Sequence, residues 1–273
     1  MPVPAGIDAS AVGDDDPPVR RLVADFVARE VAPIVAGLDT DARFPAELYR
    51  SMAELDLFGI TIAQRYGGAG CRALDYLHVM EGLGFGYASV ADQCGLVELV
   101  ATLLAEHGTD AQRQRYLTPL LAAVRFCAYA LTEPQAGSDL AAVSTSAQRD
   151  GDSDGDSDGG GWRLTGEKVF IHNAPVADFA VVLARTDPEA GRAGLTVFLV
   201  DLDSPGIERT YRERKTAQRA SQVGGLQFDA APAAPLGEEG AGFAAMTGVL
   251  AKGRLGIAGL SLGISRAALD VRR

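Results

Sequence analysis

Reactive and metal-binding side chains are scarce in this chain. Of 273 residues, 3 are cysteine, 3 are histidine and 1 is tryptophan, and aromatics make up 7%. Cys71, Cys94 and Cys127 are odd in number and widely spaced. They offer no CxxC metal or redox pair, and their usage fits a reducing cytoplasm. His78 and His107 stand alone in helical stretches and read as surface or capping residues. No metal site is expected. Positive charge is also short: 25 Lys+Arg against 36 Asp+Glu leave a net charge of −11. That balance argues against nucleic acid or an anionic membrane as partner, since both need net basic surface to meet phosphates. No unbroken run of apolar residues reaches membrane-spanning length. Val249–Ile264 comes nearest, and Lys252 and Arg254 interrupt it. The N-terminus, with Asp14, Asp15 and Asp16, lacks an apolar signal-peptide core.

What is present is enough apolar material for a real core, 47% of residues. At about 150 residues per domain, the length suggests roughly two domains. Residues 1–16 read as a disordered tail. Residues 17–125 read as a helical domain. Leu22, Val23, Phe26, Val27 and Val31 recur at helical spacing, and Pro45 can open a helix through Met52 and Leu55 that Gly59 ends. Further helices are expected over Ala73–Leu83 and Asp92–Ala105, and Thr109 can cap the next one. From about Arg125 the period changes. Phe126–Glu133, Val143–Arg149, Trp162–Leu164, Lys168–His172, Phe179–Ala184, Leu195–Val200, Ile207–Arg212 and Leu226–Phe228 read as about eight short strands, hence an antiparallel β-barrel or sandwich over residues 126–240. Helical spacing returns over 241–273. Asp150–Gly161 is a low-complexity Asp/Ser/Gly tract. Asp150, Asp152 and Asp154 with Gly155 imitate a calcium loop, but Gly161 stands where a glutamate should close it, so a solvated hairpin turn is expected.

Leu131-Thr132-Glu133-Pro134, followed by Ala136-Gly137-Ser138-Asp139, places small and hydroxyl side chains where a strand ends. Such a turn lets a flat ligand approach the backbone and meet free donors. The same stretch resembles the signature of the acyl-CoA dehydrogenase flavoprotein family. So do Tyr66-Gly67-Gly68-Ala69-Gly70, His107-Gly108-Thr109 with Gln114-Arg115-Tyr116-Leu117, Trp162–Lys168 followed by Asn173, Arg219-Ala220-Ser221 with Phe228, and Leu236-Gly237-Glu238. They fall in family order over about residues 17–273.

The resemblance implies an α+β multidomain fold. A helical N-terminal domain and a middle antiparallel β-barrel would be followed by only the first helix of a C-terminal bundle, so that the chain reads as C-terminally truncated. It implies FAD as cofactor and α,β-dehydrogenation of an acyl thioester, carried by coenzyme A or an acyl carrier protein. An electron-transfer flavoprotein would be the acceptor, and the assembly a homo- or hetero-oligomer in the cytoplasm. Tyr129, Leu131 and Thr132 match the strand along the flavin, with Gly137 and Ser138 near its pyrophosphate or the thioester. Phe170, Ile171 and His172 match the strand at its other edge, and Ser138 and Arg254 match substrate contacts. His172 departs from the family, which usually has a hydroxyl there; the plain expectation is a partly buried strand histidine without a catalytic role. Gly253 stands where some members carry the glutamate base, so the catalytic base is unassigned. The isolated chain is expected to bind FAD poorly and to expose Ile257, Leu260 and Ile264. Two other readings stay open: a non-catalytic acyl-thioester-binding or partner subunit, and a flavin monooxygenase.

Overall fold

The structure, a computed structural model, describes residues 17–150 and 161–270. The N-terminal tail and most of the Asp/Ser/Gly tract therefore lie outside the described residues. At the tract's mouth, the Asp150 amide donates to the Gly161 carbonyl.

The helical part opens with α1 (Pro18–Phe26), where Pro18 sits in the first turn, and runs on through a π-helical turn over Val27–Val31. Next come α2 (Val35–Asp41) and α3 (Ala46–Glu54), the latter preceded by Pro45 as expected. α4 (Ala73–Gly86) and α5 (Ala88–His107) form the centre. Among the described residues, α5 is the one helix long and apolar enough to cross a membrane. Here Val97, Val100, Leu103 and Leu104 are fully covered by protein. Thr109 caps the short α6 (Asp110–Gln112), its hydroxyl accepting from the Gln112 amide at 3.2 Å. A π turn then leads into α7 (Thr118–Leu121).

The β-part has seven strands among the described residues: β1 (Cys127–Ala130), β2 (Ser146–Arg149), β3 (Trp162–His172), β4 (Phe179–Arg185), β5 (Leu195–Asp201), β6 (Ile207–Arg212) and β7 (Val223–Pro235). The path β4–β2–β3–β7–β5 returns to β4 and closes a barrel, with β1 added on β4 and β6 on β7. Most pairings are antiparallel. β1 lies parallel to β4, with Cys127 opposite Phe179. The two runs expected around Thr165 are one strand, β3. Gly166 breaks the sequence pattern because its Cα faces Thr145 so closely that a Cβ would sit 2.6 Å from the hydroxyl. β4 and β5 are buried on both faces, hence their unbroken apolar sequence. Ala180, Val182 and Ala184 point into the barrel with Phe198, Leu226 and Phe228. Phe179, Val181 and Leu183 join the helical core.

The last helix, α8 (Gly242–Asp270), packs on α4 and α5. Its contact face is glycine rather than leucine. A Cβ on Gly263 would lie 2.1 Å from the Glu81 carbonyl, and one on Gly259 2.7 Å from that of Leu77. Gly84 of α4 answers, 2.6 Å from the Leu260 carbonyl. The two backbones therefore touch, and Glu81 locks them. Buried itself, it pairs with Arg20 of α1 at 2.7 Å and Arg266 of α8 at 2.6 Å. His78, expected as an isolated surface residue, belongs to this clamp: Nδ1 accepts from Arg20 at 3.0 Å. The opposite side of α8 exposes Ile257, Leu262, Ile264 and Leu269, while Leu260 is buried.

Alanine should therefore act oppositely at two α8 glycines. Gly248→Ala meets nothing within 4 Å and should stabilise by about 0.5–1 kcal/mol, the helix-propensity gain. Gly263→Ala should destabilise by about 1–3 kcal/mol, because the backbones must part. Urea unfolding of both variants measures this.

Candidate functional site

The turn after β1 is held by a buried ion pair. Lys168, on β3, is fully buried, and its three protons are all used. Nζ donates to the Leu131 carbonyl at 3.0 Å, the Leu183 carbonyl at 2.8 Å and Glu133 Oε1 at 2.8 Å. Glu133 is also buried. Its Oε1 accepts from the Thr145 amide at 3.0 Å, and its Oε2 from the Ser144 amide and hydroxyl, both at 2.8 Å, and from Gln135 Nε2 at 2.6 Å. Burial alone would raise the Glu133 carboxyl, but the Lys168 charge and these donors outweigh it and hold the group well below the usual carboxylate range. Burial lowers the Lys168 ammonium, and Glu133 opposes that only in part. The sequence showed both residues inside motifs without showing that they meet. No local signal marked it, because Lys168 follows Glu167 in a strand that also carries Arg163, Thr165 and His172.

Beyond this pair, residues 132–138 form an open turn. The Thr132 carbonyl accepts from the Val169 amide at 2.9 Å, which sets the turn beside β3. Gly137 and Ser138 are exposed, and a Cβ on Gly137 would meet nothing within 4 Å. A register shift in β3 between Lys168 and Ile171 throws Phe170 outward. Its φ is +56° and it is 65% exposed, with its amide donating to the Tyr211 hydroxyl at 2.9 Å. A bulky residue in the left-handed region costs about 1–2 kcal/mol, so a solvent-facing phenylalanine there is unexplained by packing. Just past β3, buried Asn173 fixes the strand's end: Nδ2 donates to Gln93 Oε1 on α5 at 2.8 Å and to the Cys127 carbonyl at 3.2 Å.

Between this strand end, α4, α5 and α8 lies a cavity of about 470 Å³. Tyr76, Met80, Leu96, Leu99, Leu250 and Ile257 make its apolar wall; Tyr129, Phe170, His172, Asp92 and Arg254 bring polar or flat groups to it. The Tyr129 hydroxyl and His172 Nε2 are both cut off from solvent without a hydrogen-bond partner. His172 Nδ1 faces Asp92 Oδ2 at 3.5 Å. Burial pushes the His172 imidazole down, Asp92 opposes this, and Lys215 adds to it. Arg254 is exposed and has no ion pair among the described residues. Gly253 adjoins it, and a Cβ there would meet Leu99 at 2.9 Å.

Of the residues singled out from the sequence, Tyr129, Phe170, His172 and Arg254 come together at this cavity. Leu131, Thr132, Gly137 and Ser138 lie on the neighbouring strand end and turn. Ile171 points into the barrel core, away from both, because β3 alternates faces. Asp92 was missed, since nothing local marks a helix residue that meets a strand 80 positions later.

A helical layer, a closed barrel and a helix that together wall an apolar cavity beside a strand edge define a class of enzyme scaffold. The comparisons give it a family. The family models for the acyl-CoA dehydrogenase N-terminal and middle domains match residues 14–123 and 128–231. The short-chain-specific acyl-CoA dehydrogenase of Clostridium acetobutylicum is 36% identical over 263 residues, covering 93% of this chain and 66% of its own. Butyryl-CoA dehydrogenase from Megasphaera elsdenii superposes with a TM-score of 0.83 at 33% identity, covering 92% of this chain and 66% of its own. A glutaryl-CoA dehydrogenase from Mycobacterium smegmatis, in complex with FADH2, gives 0.84 at 29% identity, covering 99% and 68%. The chain belongs to the acyl-CoA dehydrogenase family. It spans just under two thirds of the curated relative it matches.

The buried pair sets an acid dependence. Because the Glu133 carboxyl is held low in the fold, its contribution is complete above the ordinary carboxylate range and is lost as pH falls through the lowered value. Glu133→Gln should cost about 3–5 kcal/mol near neutral pH, since it leaves a buried lysine without its counter-charge. The same variant should lose less further stability than wild type between about pH 5 and pH 2. Urea midpoints across that range are the measurement.

Proposed function

We propose that this sequence belongs to an FAD-dependent dehydrogenase acting on the α,β-carbons of a short acyl thioester, soluble and cytoplasmic. The observation that carries this is the cavity's composition. One wall is apolar and suits an acyl tail, while the other brings an outward-held Phe170 and Arg254, a cation with no ion pair among the described residues. Its volume lies in the range of small-molecule pockets, about 300–1,000 Å³. The names of the curated relatives support the same substrate class.

The residues present fit FAD. The turn at 132–138 has open space above Gly137, a Thr132 hydroxyl without a partner, and amides at Gly137 and Ser138 that bond to nothing within the described chain. Thr132, Gly137 and Ser138 would hold the cofactor through these donors; Leu131 backs the turn from the core, and Tyr129 and Phe170 would cover its flat face. Ile171 contributes backbone only. Bound there, FAD would supply the hydride acceptor for the β-carbon. Arg254 would meet a carrier phosphate of coenzyme A or an acyl carrier protein, with Ser138 beside it. Met80, Leu96 and Leu99 would hold the tail and exclude water. An electron-transfer flavoprotein as acceptor and an oligomer of family members complete the proposal. It is better supported than the oxygenase or non-catalytic readings, because the curated relative and the solved structures described above are dehydrogenases.

The expected result is a weak but saturable change in the visible spectrum of FAD on titration with the chain, altered again by butyryl-CoA. Thr132→Val should weaken FAD binding about fivefold, the worth of one hydrogen bond. Phe170→Gly should also weaken it, yet leave the free chain as stable or more stable by about 1 kcal/mol, because the backbone strain is relieved. A flavin spectrum that the chain leaves unchanged would sink the proposal.

A further inference from the structure

We propose that the Tyr76 hydroxyl is a specificity-determining donor on the apolar wall of the cavity, selecting acyl thioesters whose tail carries an uncharged oxygen acceptor such as a ketone. The inference rests on the acyl-thioester reading above and names the kind of tail that reading leaves open.

The position of the hydroxyl carries this. Tyr76 lies on α4, lines the cavity and is 1% exposed. Its ring reaches the junction of α5 and α8. A Cβ on Gly256 of α8 would lie 2.2 Å from the hydroxyl oxygen, so glycine there makes room for the phenol. A Cβ on Gly95 of α5 would lie 3.7 Å from the same oxygen, and Gly95 is itself a cavity residue. The hydroxyl makes no hydrogen bond among the described residues. The hydroxyls of Tyr49 and Tyr129 are also unpartnered, but they are sealed from solvent, whereas the Tyr76 oxygen is not. The open space beside it is the cavity. A donor that the fold neither satisfies nor seals stands ready for an acceptor brought by a ligand.

The surroundings decide the chemistry of that acceptor. Met80, Leu96, Leu99, Leu250 and Ile257 complete this wall without a donor, so Tyr76 is its one hydrogen-bonding side chain. Burial pushes the phenol up, and Cys94, Glu98 and Asp92 act in the same direction, which keeps the proton on the oxygen. Glu98 does not take that proton in a hydrogen bond. Its Oε1 is turned to the Thr61 amide at 3.1 Å and to Lys252 at 3.2 Å. A carboxylate tail would be brought against Asp92 in the same cavity, a like-charge contact. A ketone oxygen carries no net charge and needs one donor. A site that hydrogen-bonds its substrate discriminates more sharply than a purely apolar pocket does.

Matched thioesters that differ by one carbonyl oxygen test this: pentanoyl-CoA with its 4-oxo derivative, and hexanoyl-CoA with its 5-oxo derivative. Calorimetric titration of the full chain gives the Kd of each. Tyr76→Phe should leave the two parent esters within about twofold and raise the ratio of oxo to parent Kd about fivefold in at least one pair, the worth of one hydrogen bond. In the wild-type complex, the infrared stretch of the tail ketone should fall below its position in an aprotic solvent. That measurement decides if Tyr76→Phe does not fold. If the wild-type chain binds the parents but rejects both oxo esters, if a folded Tyr76→Phe leaves both ratios unchanged, or if the bound ketone keeps its aprotic stretch, the donor role is overturned and the acyl-thioester reading stands. If the wild-type chain binds none of the four, the reading falls and the donor role with it.

Discussion

Everything on the strand side of the cavity depends on the contact between Lys168 and Glu133. The pair joins the end of β1, the middle of β3 and the carbonyl of Leu183 on β4. Removing two charges from water costs several kcal/mol per ion, and the pair repays this only because every proton and lone pair around it is engaged. An apolar pair of the same volume would fill the space. It would not fix the direction of the Leu131 carbonyl or tie Ser144 and Thr145 to the turn. The contact therefore reads as a device for geometry: it sets where Thr132 leaves β1 and where β3 must bulge to bring out Phe170.

On the helical side the corresponding constraint is closeness. α4 and α8 approach until backbone meets backbone, which is possible only with glycine at 84, 259 and 263. That approach brings Leu250, Gly253 and Arg254 over α5, where Lys252 reaches Glu98 at 3.2 Å and the Thr102 hydroxyl at 2.7 Å. The cavity is the space left between a helix pair fixed by glycine and a strand edge fixed by an ion pair. Neither wall contains a long loop, so its shape is carried by rigid elements.

The order of helices, barrel and final helix was legible because the first and last parts keep a helical spacing of three to four residues, while the middle breaks into short alternating or wholly apolar runs separated by turns. Strand limits were less so. Gly166 looked like a break in β3 and is a bend within it, and the parallel pairing of β1 with β4 leaves no local trace. Of the three α8 residues expected to be exposed, Ile257 and Ile264 are and Leu260 is not, because the helix turns its glycines inward and lays Leu260 against Gly84. Close approach is invisible to a hydrophobic period, since glycine carries no apolar signal. At the site, Tyr129, Phe170, His172 and Arg254 could be selected in advance by their match to family motifs. Asp92 could not, because its meaning comes wholly from a strand far along the chain.

The distribution of unfavourable features is itself informative. Phe170 is held outward in a left-handed conformation, Tyr129 and His172 bury polar atoms without partners, and Arg254 has no ion pair among the described residues. The strained backbone and the two buried polar atoms lower the stability of the free chain, whereas the solvated Arg254 does not, and all four residues line one cavity. Elsewhere the buried charges of Lys168, Glu133 and Glu81 are matched bond for bond. Buried polar atoms without partners also occur away from the cavity, on Tyr49, Ser89 and Glu98, so what sets the cavity apart is their coincidence there with the strained backbone of Phe170.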